Sequence, residues 1–196
     1  MLKRAWALKV FVAATAIAAL AVAALAVASA GNPASFYSVL RKNARPSDRL
    51  SPEARQLASH VPASYHLRLK DSRRTRQKAG HGVWLVPGRS ALCMFVQNHD
   101  GGTADTCNKL SAARHGALSI LNERRNRSLR LLTAGLPDDT TNVVLNGEGG
   151  RTRALDISRN TVQVHMSKHG AASFRPKSVS FDVGGKPYFI PIHRPH

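Results

Sequence analysis

Nine histidines give this chain its clearest capacity for chemistry, because an imidazole ring can bind a metal ion or exchange a proton near neutral pH. His165 and His169 are four residues apart, a spacing that places two ligands on one face of a helix. However, Val162, Val164 and Met166 alternate and predict a strand, with His165 on its polar face and His169 beyond its end. Zinc sites are usually marked by paired ligand spacings. We therefore predict no metal site and no cofactor.

The same histidines would supply the general base if the protein were a hydrolase. His81, His99 and His165 are the candidates, because each flanks or lies on a predicted strand. The sequence has no Gly-x-Ser-x-Gly motif and no phosphate-binding loop to accompany them. Asp138 and Asp139 are adjacent acids in a predicted turn, where aspartates usually hydrogen-bond to the turn itself. We assign no catalytic residue and favour a protein that is not an enzyme.

Cys93 and Cys107 are the two cysteines of the chain. Two thiolates are too few for a structural zinc site, and no neighbour of Cys93 would activate a thiol. A disulfide between them would close a loop of about 15 residues, for which the loop-entropy model gives about 3 kcal/mol of stabilisation. We predict that they pair, joining a core strand to the first turn of a helix that begins at Asp105 or Thr106.

Positive charge dominates residues 31–196, which carry 26 Lys and Arg against 11 Asp and Glu, a formal charge of +15. Such a charge attracts polyanions, and the candidates are nucleic acid, anionic cell-wall polymer and lipid headgroups. The alternative is that codon bias in a GC-rich genome produces the arginines. For residues 71–78 we favour a solvated loop or helix face, because this run lacks the aromatic residues that stack on bases. The seven candidate polyanion contacts are Arg41, Lys42, Arg45, Arg73, Arg74, Arg76 and Lys78.

The first thirty residues have the pattern of an export signal. Three basic residues precede an apolar run at residues 10–30, which ends in Ala28-Ser29-Ala30. The run also has about the 20 residues that a membrane-spanning helix needs. We favour a signal peptide cleaved after Ala30, with a retained signal anchor as the alternative. Either outcome places the rest of the chain outside the cytoplasm, where disulfides persist.

The basic region, residues 31–80, contains one clear helix signal. Ser51 can cap this helix, Pro52 suits its first position, and an apolar stripe follows as far as Pro62. Apolar and polar residues alternate at 65–69, which predicts a short strand. We expect this region to be partly flexible.

Short strands separated by turns are the pattern from residue 81 to residue 193. Apolar runs at 83–86 and 91–96 flank Pro87-Gly88 and predict a hairpin. Turns recur roughly every ten residues, as in antiparallel sandwiches and small barrels. We therefore predict a mainly β fold with minor α: a small antiparallel sandwich or barrel-like domain with one or two short helices, preceded by an N-terminal apolar export helix. Further strands are predicted at residues 129–132, 143–145, 162–166, 179–183 and 188–192.

The order of several short motifs along this chain resembles that in small exported actinobacterial proteins of uncharacterised function. The resemblance covers roughly residues 82–192 and implies a signal or anchor segment, a β-rich exported domain and one cysteine pair. No catalytic residue transfers from that group. The motifs that carry it are Trp84-Leu85-Val86-Pro87-Gly88, Leu92-Cys93, Gly101-Gly102 with Cys107, and Gly135-Leu136-Pro137-Asp138 before Val143-Val144-Leu145.

Three classes of function follow from these features. We favour a non-catalytic secreted or cell-surface module that binds or organises something there, with polyanions as the expected ligands. The second class is a membrane-anchored interaction module, in which residues 10–30 remain as a membrane helix and residues 41–49 rest on lipid headgroups. The third is a secreted hydrolase with a histidine base.

Overall fold

The computed structural model describes residues 31–78, 81–98, 101–116, 118–123, 129–167, 174 and 176–192. The predicted export segment lies outside these ranges, so its cleavage or retention stays a prediction. Each helix within the ranges is too short or too polar to span a bilayer.

The fold is mainly β, as predicted, with antiparallel strands in three sheets and two short helices in the described part of the chain. The strand order is β1-β2-β3-β4 in the first sheet, β5-β6-β9 in the second and β11-β10-β7-β8 in the third. The strands are β1 (Arg73–Lys78), β2 (His81–Pro87), β3 (Ala91–Gln97), β4 (Thr103–Lys109), β5 (Leu118–Glu123), β6 (Leu129–Gly135), β7 (Thr140–Gly147), β8 (Thr152–Ala154), β9 (Thr161–Ser167), β10 (Pro176–Val183) and β11 (Lys186–Pro191).

Helices contribute little of the structure. The helix α1 (Pro52–Ala58) is the one that the sequence predicts, and Ser51 Oγ caps it by accepting from Ala54 N at 3.2 Å. The second helix is α2 (Leu110–His115). Single 3₁₀ turns lie at Pro33–Ser35, Ser38–Arg41, Pro46–Asp48, Ala63–Tyr65, Leu69–Asp71 and Glu148–Gly150.

The two central strands of the first sheet, β2 and β3, are buried on both faces, which explains why they read as unbroken apolar runs. Trp84 and Phe95 pack against α1 on one face, whereas Leu85 and Met94 pack toward the second sheet on the other. Gly82 fits beneath Trp84, because a Cβ atom at this position would overlap the indole ring.

The second sheet is a middle layer with an apolar group on each face. Leu118 and Ile120 join the core of the first sheet, whereas Leu132 and Val164 join the core that the third sheet covers. Gly135 allows the close approach of the first two sheets, since a Cβ there would lie 3.3 Å from Leu85 Cδ2. The layers therefore stack in the order α1, first sheet, second sheet, third sheet.

Residues 31–50, here called the N-terminal arm, pack into this stack. Phe36, Tyr37, Val39 and Leu40 are buried against the first and second sheets. The Tyr37 hydroxyl lies 3.3 Å from the carbonyl oxygen of Gly135. Burial, followed by the charges of Asp138 and Asp139, raises the pKa of Tyr37 far above its usual value. The arm therefore belongs to the core, although much of its sequence is polar.

The predicted disulfide is present, with an S–S distance of 2.02 Å, but the helix predicted around Cys107 is wrong. Cys93 and Cys107 lie directly opposite each other on neighbouring strands, with 4.1 Å between their Cα atoms. β4 pairs with β3 along its whole length, and the helix begins only at Leu110. The hydrogen bonds of this ladder outweigh the capping tendency of Asp105 and Thr106.

Two predictions for the basic region are also wrong. Residues 65–69 form no strand, because Arg68 N donates to Pro87 O and Arg89 N donates to Tyr65 O, which ties the segment to the β2–β3 turn. The run at 71–78 is neither a loop nor a helix face: Arg73–Lys78 is the edge strand β1, paired with β2. Charged residues suit an edge strand, since they discourage pairing with other chains.

Candidate anion-binding cleft

A basic cleft of about 490 Å³ lies where the N-terminal arm meets the start of β1 and the turn before β9. Six of its ten lining residues are cationic and one is acidic. Val39, Arg41, Lys42, Asn43, Arg45, Ser47, Asp48, Arg73, Arg74 and Arg159 line it.

Asp48 fixes the shape of the cleft. Its Oδ2 accepts from Arg45 N at 2.8 Å and its Oδ1 accepts from Arg74 N at 3.2 Å. The Asp48 carbonyl oxygen also accepts from Ser72 Oγ at 2.8 Å. The one acid of the cleft therefore joins the arm to β1 through backbone N–H groups, and forms no ion pair with the described basic side chains.

Arg73 is buried, with only 9% of its surface exposed. Its Nε donates to Lys42 O at 2.7 Å, and its Nη1 donates to Asp71 O at 2.8 Å and to Ser72 O at 3.0 Å. In the described part of the structure Nη2 donates no hydrogen bond to the protein. The guanidinium group is thus held in one orientation by neutral carbonyl groups.

Arg74 stacks on Trp84, which lies opposite it on β2. The guanidinium carbon lies 5.2 Å from the centroid of the indole ring, a cation–π geometry. The Arg74 Nε atom is buried and has no hydrogen-bond partner among the described residues. The basic run at residues 71–78 contains no aromatic residue, but the neighbouring strand β2 supplies one. The spacing of residues within the run could not indicate this contact.

Arg41 is a partly neutralised lining residue of the cleft. Its Nη2 lies 3.0 Å from Asp138 Oδ2, and its Nη1 donates to Ala34 O at 3.0 Å. The other Asp138 oxygen accepts from Ser38 N at 2.7 Å and from Asn160 Nδ2 at 2.9 Å. These contacts join the arm to the turn between β6 and β7. The Asp138 carboxylate therefore bonds to Ser38, Arg41 and Asn160, whereas the sequence suggested a hydrogen bond within its own turn.

The pKa of Asp138 is lowered in the folded protein. Burial alone would raise it, but the hydrogen bonds from Asn160 and Ser38 and the charge of Arg41 outweigh burial. The carboxylate therefore stabilises the fold at pH values above its unfolded pKa of about 3.9, and the contribution disappears as pH falls through the lower folded value.

We expect Asp138→Asn to lower the free energy of unfolding at pH 7 by about 1 kcal/mol, because the ion pair with Arg41 is partly exposed. The difference from the wild type should shrink as pH falls below about 4. Urea denaturation between pH 2.5 and 7 measures it. A difference that stays constant over this range would contradict the role assigned to the carboxylate.

Arg159 was not among the predicted contacts. It lies in a two-residue turn that is closed by hydrogen bonds between Ser158 and Thr161 in both directions, at 2.9 and 3.0 Å. Arg159 and Asn160 have φ values of 48° and 62°, so both residues of the turn are left-handed, as one common type of two-residue hairpin turn requires. The asparagine was the available signal, since it tolerates this conformation better than most residues.

The cleft brings together five of the seven predicted polyanion contacts, Arg41, Lys42, Arg45, Arg73 and Arg74, and adds Arg159. The side chains of Arg76 and Lys78 lie outside the described part of the structure. Of the candidate bases, His165 is exposed on β9, whereas His99 and the side chain of His81 are not described. Within the described ranges no cluster of three His, Cys, Asp or Glu residues could hold a metal ion.

Comparison with protein-family models, with curated proteins and with solved structures finds no match for this chain. Function must therefore be inferred from the cleft itself.

Proposed function

We propose that the protein is an exported, non-catalytic module that binds polyanions through the basic cleft. The observation that carries this proposal is that six cationic residues from three separate parts of the chain line one cleft. A solvated charge run would leave these residues dispersed along one element.

The charge of the cleft is only partly balanced by the protein. Arg41 has Asp138 as a counter-ion, whereas Lys42, Arg45 and Arg159 are exposed and form no ion pair with the described residues. Concave surfaces lined by one sign of charge concentrate the field and raise the local concentration of the opposite ion. The formal charge of +15 on residues 31–196 adds a long-range attraction for the same ligands.

The groups that line the cleft suit binding. Guanidinium, ammonium and amide groups donate hydrogen bonds, but they do not exchange protons readily near neutral pH. The one carboxylate, Asp48, is occupied by two backbone N–H groups. These properties support a binding protein over a hydrolase.

The disulfide supports the exported location, because such bonds persist in oxidising compartments. Ligands at that location include anionic wall polymer, extracellular nucleic acid and lipid headgroups. All of them present repeated negative charges to a basic surface.

Salt-dependent binding tests the proposal. The probe is a fluorescent single-stranded oligonucleotide with a 5′-hydroxyl end, whose anisotropy is measured with the purified protein at increasing salt. We expect affinity to fall steeply with salt, because binding releases counter-ions. The triple variant Lys42→Ala, Arg45→Ala, Arg159→Asn should bind more weakly, and the slope of log K against log salt should lessen by about 2. Asparagine at position 159 preserves the left-handed turn.

A matched variant removes three exposed cations that do not line the cleft: Arg89→Ala, Arg114→Ala, Lys186→Ala. It has the same net charge as the cleft variant but leaves the cleft residues intact, so it should retain most of the affinity. Equal losses in the two triple variants would mean that binding follows net charge alone. Affinity that does not change with salt would reject polyanion binding altogether.

A further inference from the structure

We propose that the cleft recognises a terminal phosphate group, that is a phosphomonoester, with Arg73 as its fixed donor. This inference rests on the proposed function and specifies the chemical group that the cleft takes.

The first step is the state of Arg73. A buried cation normally has an anionic partner, because taking a charge out of water is costly. Here the hydrogen-bond acceptors of the guanidinium among the described residues are three neutral carbonyl groups, and Nη2 donates no hydrogen bond to those residues. Because Arg73 lines the cleft, an anion bound there would supply the missing counter-charge. The orientation of the donor is already fixed, so binding would lose little side-chain entropy.

The second step is size. A volume of about 490 Å³ falls within the range of about 300–1,000 Å³ found for small-molecule sites. A cleft of this volume takes one charged group with its neighbouring atoms, and it does not follow a polymer over many repeats. Contacts to the rest of a polymer would come from the surrounding surface charge.

The third step is the chemistry of the donors. Five of the six cations are arginines, whose planar forks match the oxygens of phosphate. A phosphomonoester carries about −1.5 to −2 charges and three acceptor oxygens. An internal phosphodiester carries one charge and has fewer oxygens to offer. The terminal group therefore satisfies more of the donors in this cleft.

The position of Trp84 argues against recognition of bases. Its ring is 1% exposed and is covered by Arg74, so it cannot stack on a nucleobase. The cleft thus offers donors for a phosphate and no described aromatic face for a base. We expect binding to depend on the phosphate and not on the base beside it.

A pair of oligonucleotides of identical sequence tests the inference, one with a 5′-phosphate and the other with a 5′-hydroxyl. We expect the wild-type protein to bind the phosphorylated form at least tenfold more tightly and glycerol 3-phosphate to displace it. Vesicles containing phosphatidic acid, a phosphomonoester, should bind more than vesicles containing phosphatidylglycerol, a phosphodiester, if a lipid headgroup is the source. A preference in the oligonucleotide pair with equal binding to both vesicles would identify a soluble or polymer-borne phosphate as the source.

Two variants of cleft residues test whether the cleft recognises the terminal phosphate. Arg73→Gln should lose the preference for the 5′-phosphate, and a thermal melt reports whether it still folds. Arg159→Asn changes an exposed residue of the same cleft and should reduce the preference without unfolding the protein. Equal affinity of the wild type for the two oligonucleotides, with steep salt dependence, would overturn this inference and leave polyanion binding intact. Absence of binding to either oligonucleotide would overturn both.

Discussion

Asn160→Ala is expected to lower the free energy of unfolding by about 3 to 5 kcal/mol, a loss seen when a buried hydrogen-bond network is broken. Asn160 is 6% exposed and its side chain makes four hydrogen bonds. Its Oδ1 accepts from Ser38 Oγ at 3.1 Å and Val39 N at 3.0 Å. Its Nδ2 donates to Leu136 O at 3.0 Å and Asp138 Oδ1 at 2.9 Å. Alanine would leave several of these groups buried without partners.

The backbone adds to this loss. Asn160 has a φ of 62°, and alanine in the left-handed region costs about 1 kcal/mol more than a residue that tolerates it. Denaturation by urea, followed through the fluorescence of the buried Trp84, measures the change. Because the same side chain holds the arm against the second sheet beside Arg159, the variant should also bind the oligonucleotide more weakly.

Asn142→Ala is the matched control. Asn142 also has a positive φ, 52°, but it is exposed and its Nδ2 makes one hydrogen bond, to Asp182 Oδ2 at 2.7 Å. We expect a loss of about 1 to 1.5 kcal/mol, most of it from the backbone. If the two alanine variants lose equal stability, the network around Asn160 does not hold the arm in place.

Local signals predicted the elements whose evidence lies within a few residues. The cap at Ser51 predicted the start of α1, and the alternation at residues 179–183 and 188–192 predicted the strands β10 and β11, because the side chains of a strand alternate between faces. β5 (Leu118–Glu123) was not predicted, because its apolar pattern is short and the strand is defined by its pairing with β6. Its place in the sheet depends on contacts distant in sequence.

The basic cleft shows the same limit. The seven cations were singled out by their density in the sequence, and five of them converge because Asp48 joins the arm to β1. The spacing of the cations in the sequence does not indicate that they converge, since the Asp48 carboxylate accepts hydrogen bonds from backbone N–H groups 3 and 26 residues away. Arg159 enters from more than 80 residues beyond β1 through a turn that Asn160 anchors, so it could not be inferred from the basic run.

The misassigned strand β4 follows from a competition between local and tertiary bonds. Asp105 and Thr106 are good helix caps in isolation. In the fold they lie opposite Phe95 and Met94, within a ladder of seven paired positions. The disulfide closes the same pair of strands, so the covalent bond and the ladder stabilise one register.

Removing the disulfide with Cys93→Ala and Cys107→Ala is expected to lower the free energy of unfolding by about 3 kcal/mol. The cysteines are 14 residues apart, and the bond restricts the unfolded chain by closing that loop. Cys93 is fully buried, so loss of its sulfur also removes packing against Phe95 and α1. Denaturant midpoints with and without reductant measure the effect.

Treatment with reductant distinguishes the contribution of the cross-link to stability from the contribution of side-chain packing. In the wild type, dithiothreitol should lower the midpoint toward that of the double alanine variant, because reduction removes the loop constraint and leaves the side chains in place. The alanine variant has no thiol, so reductant should not affect it. Intact-mass measurement of protein from the exported fraction should show a mass lower by two hydrogen atoms than the reduced chain. If that fraction carries free thiols, or if reductant leaves the wild-type midpoint unchanged, the disulfide does not form in the protein as it is made. The support that it lends to an exported location would then be lost.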